Sequence, residues 1–327
     1  MSLIANCFPL LKELDLSNPV HCNDLVNFLY GEEVEELSLA FFKLRKVNLT
    51  DHYYVNGKFL FQLFKSCKLL EEAIIVKCIH LTEAGIASAL LERPTLRSLS
   101  FTPYELQQDY AMLFAFIRNC PSLSEIRLDY NCCWVSQIRS VKNYNSLMDF
   151  VVSPQIKSLS LQGSGGLKDK NIKMFASVFP NLQLLDLSQC IDMSEEDICQ
   201  ILRRCCEIRE LNLAYFSRVR LRKMNFEVPK LESLNLSHTK VDDEALFAIS
   251  KSCSGLLQLS LENCCNVTEK GVKHVVENCR QLRVINLRNC HNVHADDVAL
   301  MLLSRPSLRK IIDPTLLALN PENIAEV

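Results

Sequence analysis

The sequence predicts an α/β solenoid: about twelve copies of one strand–turn–helix unit, stacked so that their strands form a parallel sheet. Three observations predict it. The pattern L-x-x-L-x-L, with other apolar residues substituting, recurs along almost the whole chain. Most copies lie close to 26 residues apart, and cysteines fall at two fixed offsets from the pattern. Self-similarity at a period of roughly 20–50 residues marks units that bury their apolar face only against their neighbours.

The copies are Leu11/Leu14/Leu16, Val34/Leu37/Leu39, Leu70/Ala73/Ile75, Leu96/Leu99/Phe101, Leu123/Ile126/Leu128 and Ile156/Leu159/Leu161. They continue as Leu182/Leu185/Leu187, Ile208/Leu211/Leu213, Leu231/Leu234/Leu236, Leu256/Leu259/Leu261 and Leu282/Ile285/Leu287, with a degenerate twelfth at Leu308/Ile311. The middle residues are spaced 23, 36, 26, 27, 33, 26, 26, 23, 25, 26 and 26. In each copy the last two apolar residues are two apart, so both point to one face of a short strand.

The rest of each copy reads as a helix. Thr268 is an expected N-cap before Gly271, Val272, Val275 and Val276, and Ser194 with Asp197 makes an approximate capping box. Leu81-Thr82, Val241-Asp242 and Leu167-Lys168-Asp169 hold the same place in their copies. Strand, turn, helix and return to a parallel strand is a right-handed crossover. Stacked strands lie about 4.8 Å apart, whereas packed helices need roughly 8–10 Å between axes. The helices are therefore expected to splay outwards while the sheet lines the concave face of a horseshoe. The repeats are assigned to residues 1–313 and a tail to 314–327.

Composition narrows the classes. Hydrophobic residues make up 48% of the 327 and charged residues 23%, enough for a continuous core. With 36 basic and 38 acidic residues, the formal net charge of -2 supplies no electrostatic reason to expect nucleic acid or a membrane as partner. The apolar stretch of most note, Ala111 to Ile117, falls far short of the roughly 18 residues of a membrane helix. The N-terminus shows no signal-peptide pattern, so cytoplasm or nucleus is the expected location.

Of the 16 cysteines, Cys67, Cys120, Cys205, Cys253 and Cys279 lie three residues before the first apolar position of a copy. Cys78, Cys190, Cys264 and Cys290 lie three residues after the last. Positions that obey the repeat period are expected to hold small buried reduced thiols, not disulfides.

The fuller unit, Cys-x-x-Leu-x-x-Leu-x-Leu-x-x-Cys-x-x-Val-Thr-(x)3-Val over Cys253 to Val272, resembles the cysteine-containing class of leucine-rich repeats. Among proteins built from it, the chain looks most like plant F-box/LRR proteins. That resemblance implies a repeat domain that presents substrates, with an upstream F-box binding the Skp-type adaptor of a cullin ubiquitin ligase. No F-box is visible, since the first strand is already at Leu14. Ser2-Leu3-Ile4-Ala5-Asn6-Cys7 resembles the helix end Ala248-Ile249-Ser250-Lys251-Ser252-Cys253, so the chain is expected to start inside a repeat without a polar cap. An adaptor is then expected as a partner only where an upstream F-box exists.

Partner-binding residues are expected on the strand positions that flank the core. The acids there are Glu13, Asp15, Glu36, Glu72, Glu125, Asp129, Asp186, Glu210 and Glu262; the bases are Arg127, Arg288 and Lys310, with Ser and Asn between, Asn212 among them. An acidic cradle of this kind suits a basic or hydroxyl-rich segment of a protein partner. Some F-box/LRR hormone receptors hold an inositol phosphate in a basic cluster; the strand positions that flank the core show no such cluster, and no cofactor is expected. The two long intervals are expected to carry binding loops, the first with Phe41, Phe42, His52, Tyr53 and Tyr54, the second with Trp134 and Tyr144. Leu44-Arg45-Lys46-Val47-Asn48-Leu49 inside the first also fits the strand pattern. Arg218 to Lys223 alternates as a strand does, and its bases are a candidate anion site.

Enzyme chemistry is not expected. Gly163-Ser164-Gly165-Gly166 lacks the Lys-Ser/Thr ending of a phosphate loop and reads as a turn. Cys290, His291 and His294 lack a second ligand pair at zinc-site spacing, and the adjacent pairs Cys132-Cys133, Cys205-Cys206 and Cys264-Cys265 are not Cys-x-x-Cys. The functional expectation is a monomeric protein-binding module, substrate recognition for an SCF-type ligase. Two alternatives stand beside it: a free-standing scaffold or inhibitor, and a GTPase-activating repeat protein, which would need a functional rim arginine.

Overall fold

A computed structural model of the chain describes residues 8, 10–18, 42–53, 55–103, 110–130, 151–164, 167, 169–190, 193–216, 220–294, 305 and 307–312. The chain divides into two compact units, Met1–Gln162 and Gly163–Val327. In the first, strands β1 (Glu13–Asp15), β2 (Lys46–Asn48), β3 (Glu72–Ile75), β4 (Ser98–Phe101), β5 (Glu125–Leu128) and β6 (Ser158–Ser160) pair in parallel, in chain order. Helices α1 (Gly57–Ser66), α2 (Glu83–Glu92) and α3 (Ala111–Asn119) connect β2 through β5. The second unit contains α4 (Asp169–Val178), β7 (Leu184–Asp186), α5 (Glu195–Arg204), β8 (Glu210–Asn212), β9 (Ser233–Asn235), α6 (Asp243–Ser252), β10 (Gln258–Ser260), α7 (Glu269–Asn278), β11 (Val284–Asn286) and β12 (Lys310–Ile312). Its strands too pair in parallel with their sequence neighbours. This is the expected α/β solenoid.

The core follows from the register. Leu14, Val47, Ala73, Leu99, Ile126 and Leu159 lie opposite one another along the first sheet, and all are buried. Leu185, Leu211, Leu234, Leu259 and Ile285 form the matching buried row of the second. Because consecutive side chains alternate faces, the residues on either side of this row point away from the core.

One strand differs from the pattern reading. β1 pairs directly with Lys46–Asn48, Leu14 opposite Val47, so the second strand of the sheet is the Leu44/Val47/Leu49 match and not Val34/Leu37/Leu39, which lies outside the described residues. Leu44, Val47 and Leu49 are each at most 2% exposed. Val47 also stands 26 residues before Ala73 with α1 between them, the commonest spacing among the other units. Two motif matches competed in one interval, and the one that leaves room for a connecting helix won.

Helix starts are capped where the sequence indicated. Thr82 accepts from Gly85 N–H at 3.1 Å and Asp242 Oδ1 from Ala245 N–H at 3.1 Å. Ser194 and Asp197 close a reciprocal capping box at the start of α5. No helix occurs among the described residues between β8 and β9; this short connection is pinned to its neighbours instead. Lys223 N–H donates to Glu195 Oε1 at 2.7 Å, and the Arg203 guanidinium lies 4.6 Å over the Phe226 ring.

The nine periodic cysteines are buried and free of disulfides. Several of the thiols reach carbonyls of the preceding repeat: Cys78 to Leu49 at 3.2 Å, Cys120 to Leu96 at 3.2 Å, Cys264 to Leu236 at 3.1 Å and Cys290 to Leu261 at 3.0 Å. A thiol is small enough for the closed interior and still offers a weak donor. Burial pushes the thiols of Cys67, Cys78 and Cys253 up to about 12, and those of Cys120, Cys199, Cys205 and Cys279 up to about 11.

Candidate functional site

The outward sheet positions form rows, and their chemistry is read one strand at a time. The row preceding the buried central residue runs Glu13, Lys46, Glu72, Ser98, Glu125 and Ser158 in the first unit. In the second it runs Leu184, Glu210, Ser233, Gln258, Val284 and Lys310. The following row is Asp15, Asn48, Ile74, Ser100, Arg127 and Ser160, then Asp186, Asn212, Asn235, Ser260, Asn286 and Ile312.

The second row has a structural duty. Asp15, Asn48, Asp186, Asn212, Asn235 and Asn286 each accept, through a side-chain oxygen, the backbone N–H two residues on. These Asx turns end the strands. The Ser17 hydroxyl and N–H, with the Asn48 amide, hold the Asp15 carboxyl below the usual carboxylate range.

The expected acidic face is therefore graded. Glu72 pairs with Lys46 at 2.9 Å, a base the sequence reading overlooked while the second strand was placed at Leu37. Glu262 lies 3.8 Å from Arg288 and accepts from Asn286 Nδ2 at 3.3 Å. Asp186 serves its turn. Glu13, Glu125 and Glu210 are exposed in the first row, and Arg127 is exposed beside Glu125 on β5. Asp129 follows the same strand and is half-buried, and Asn212 carries the Asx turn of β8. Glu36 lies outside the described residues.

The loop expectations fare differently. Phe41, Tyr54, Trp134 and Tyr144 lie outside the described residues. Phe42 is 49% and Tyr53 37% exposed. With β2 at Lys46–Asn48, Phe42 precedes the strand and Tyr53 follows it, so they stand at opposite ends of one strand and not in a shared insertion. In the Arg218 to Lys223 segment, Arg222 donates from Nε to Asp242 at 3.0 Å, pairs with it again through Nη2, and meets Glu244 at 2.9 Å. Partial burial pushes the Asp242 carboxyl up, but Arg222 and the Ala245 N–H together hold it below the usual range. That guanidinium is committed within the fold, which removes it from the anion site considered from sequence. Gly163 turns with φ 74°, the left-handed conformation glycine adopts without strain.

A basic row escaped the sequence reading. The position two before the central strand residue carries Lys12, Arg45, Arg97 and Lys157 in the first unit and Arg209, Arg283 and Arg309 in the second. Arg45 is bound to Glu71 at 2.6 Å and Arg209 to Glu232 at 2.5 Å. Its fixed offset from the leucine pattern was the available signal. Among the described residues, no group of three or more His, Cys, Asp or Glu is placed to hold a metal ion, and no helix is long and apolar enough to cross a membrane.

Among the solved structures that resemble the chain are the following two. A yeast structure of Rad7 in complex with Elc1 matches 98% of this chain and 87% of its own, at 15% identity and a TM-score of 0.56. The leucine-rich repeat-containing protein LegL7 from Legionella pneumophila matches 95% and 86%, at 14% identity and a TM-score of 0.50. Likeness at these identities shows the fold: an α/β leucine-rich-repeat solenoid. No protein-family model matches the sequence.

Proposed function

We propose that this chain is a protein-binding module that receives a basic segment of its partner on the outward sheet face, as the substrate-recognition part of an SCF-type ubiquitin ligase. The observation that carries the binding role is the face itself. In the first unit it offers the exposed carboxylates Glu13 and Glu125, with Arg127 beside Glu125, and in the second Glu210, with Lys310 at the last strand, all set among serine, asparagine and glutamine. Such a surface steers and orients a positively charged segment without a deep cavity. The ligase role is supported by the resemblance of the Cys253 to Val272 unit to plant F-box/LRR repeats. That Rad7, a protein of like fold, is found in complex with Elc1 agrees with a role in assembly with other proteins. A Skp-type adaptor is assigned to an F-box, not to the repeats.

Charge reversal tests the binding role. Glu125 and Glu210 are chosen because neither serves an Asx turn as Asp186 does. A fluorescent twelve-residue lysine–serine peptide should bind the intact chain with an affinity that falls as salt rises. Glu125→Lys and Glu210→Lys should each weaken it about tenfold, the effect of a lost charge contact at an interface of about 1.4 kcal/mol, with unchanged thermal unfolding. Equal affinity in both variants removes the acidic face from the function.

A further inference from the structure

Six successive strands, β6 to β11, are each followed by a residue of left-handed conformation: Gly163, Gln189, Tyr215, His238, Asn263 and Asn289, with φ between 58° and 74°. The geometry has a reason. The N–H of each of the first five donates to a carbonyl of the next repeat, as Tyr215 does to Ser237 at 2.9 Å and His238 to Glu262 at 2.7 Å. Glycine and asparagine occupy this conformation readily, whereas a bulky side chain rarely does. Tyr215 is thus the least suited residue of the six for its own backbone.

Its ring explains its presence poorly as packing. One face lies parallel to the His238 imidazole, with centroids 4.2 Å apart and planes 8° apart. His238 is itself fixed by Asn263, whose Nδ2 stands 3.3 Å from Nε2. Tyr215 nevertheless remains 48% exposed. A strained backbone position that holds a rigid, half-exposed ring on a second ring has the character of a binding anchor and not of a core residue.

We infer that Tyr215 is a stacking platform for an arginine side chain of the partner's basic segment. A guanidinium is planar and weakly hydrated, so it lies flat on a tyrosine face and keeps its N–H edges free for carboxylates; a lysine ammonium does this less well. Glu210 on the same repeat supplies an exposed carboxylate for a neighbouring base of that segment. This assignment rests on the basic-segment reading above and gives it a residue-level preference, arginine over lysine.

Two fluorescent twelve-residue peptides of equal charge, one with six arginines and one with six lysines in the same glycine–serine spacing, provide the test. The native chain should bind the arginine peptide about fivefold tighter than the lysine peptide. Tyr215→Asn, which suits the left-handed backbone, should unfold no earlier than the native chain and abolish the preference, leaving lysine-peptide affinity unchanged. Tyr215→Phe keeps the ring and should keep the preference. Equal binding of both peptides by the native chain, or a preference that survives Tyr215→Asn, overturns the Tyr215 assignment alone. Failure of both peptides to bind overturns the basic-segment reading and this inference with it.

Discussion

Raising the pH from 9 towards 11 in reducing buffer should unfold the protein within about one to two pH units. Burial holds Cys67, Cys78 and Cys253 protonated up to about 12 and Cys120, Cys199, Cys205 and Cys279 up to about 11, against an ordinary thiol value of 9.0. Below pH 9 these thiols are neutral in both states, and their contribution to stability is fully present. Between 9 and 12 the unfolded chain releases protons that the folded chain keeps. The unfolded state then binds fewer protons, so stability falls as pH rises. Each thiol adds a slope of up to about 1.4 kcal/mol per pH unit, and seven together match the whole stability of a typical domain, about 5–15 kcal/mol. Urea midpoints measured from pH 7 to 11 check this. A flat profile from pH 9 to 11 would contradict the buried cysteine ladder.

Asp243→Ala should cost about 3 kcal/mol, a large effect for a side chain on a solenoid's surface layer. The carboxylate sits at the start of α6 but serves the next repeat. It accepts from Thr268 N–H at 2.9 Å, from the Thr268 hydroxyl at 2.6 Å and from Gly271 N–H at 3.1 Å. It thereby caps α7 from outside, where the positive end of the helix dipole favours an anion. Deletion leaves two backbone N–H groups and a hydroxyl short of a charged acceptor, each worth roughly 1–3 kcal/mol and not fully additive. Gly271 belongs to the same device, because a Cβ there would meet Asp243 Oδ1 at 2.4 Å; Gly271→Ala should be destabilising too. Asp243→Asn keeps one acceptor oxygen and should fall between. Urea denaturation of the three variants measures this, and a loss under about 0.5 kcal/mol for Asp243→Ala would be inconsistent with the cap.

How much of this was legible depends on how local the cause is. The buried rows, the caps at Thr82, Ser194 and Asp242 and the cysteine positions each depend on a spacing within one repeat, and the pattern carries them. The choice between Leu37 and Val47 required knowing which match leaves room for α1, so the first unit was misread there and Lys46 was lost from the sheet face. Contacts between repeats were harder. Arg222 meets Asp242 twenty residues on, and Tyr215 stacks on His238 twenty-three residues on. Nothing in either local sequence announces these partners. Alignment of the turn positions across repeats would have exposed Tyr215, since Asn18, Asn263 and Asn289 stand where it stands.

The acidic character of the sheet face was legible as a list of residues but not as a potential. Lys46 and Arg288 each offset a neighbouring glutamate, and the Asx turns draw Asp15 and Asp186 into the backbone. Glu13, Glu125 and Glu210 remain as exposed acids of the first row, with Lys310 as its exposed base.

Site-specific photo-crosslinking in cells tests the central claim, that the outward sheet face is the protein-binding surface, most directly. Benzoylphenylalanine placed at Ser98 and at Gln258 samples that face in the two units; placed at Leu91 and at Phe247, which are 62% and 47% exposed, it samples the helices. The sheet positions should give discrete crosslinked protein bands that weaken in the Glu125→Lys or Glu210→Lys background. Bands from Leu91 and Phe247 with none from Ser98 or Gln258 would place recognition on the helices and contradict the account.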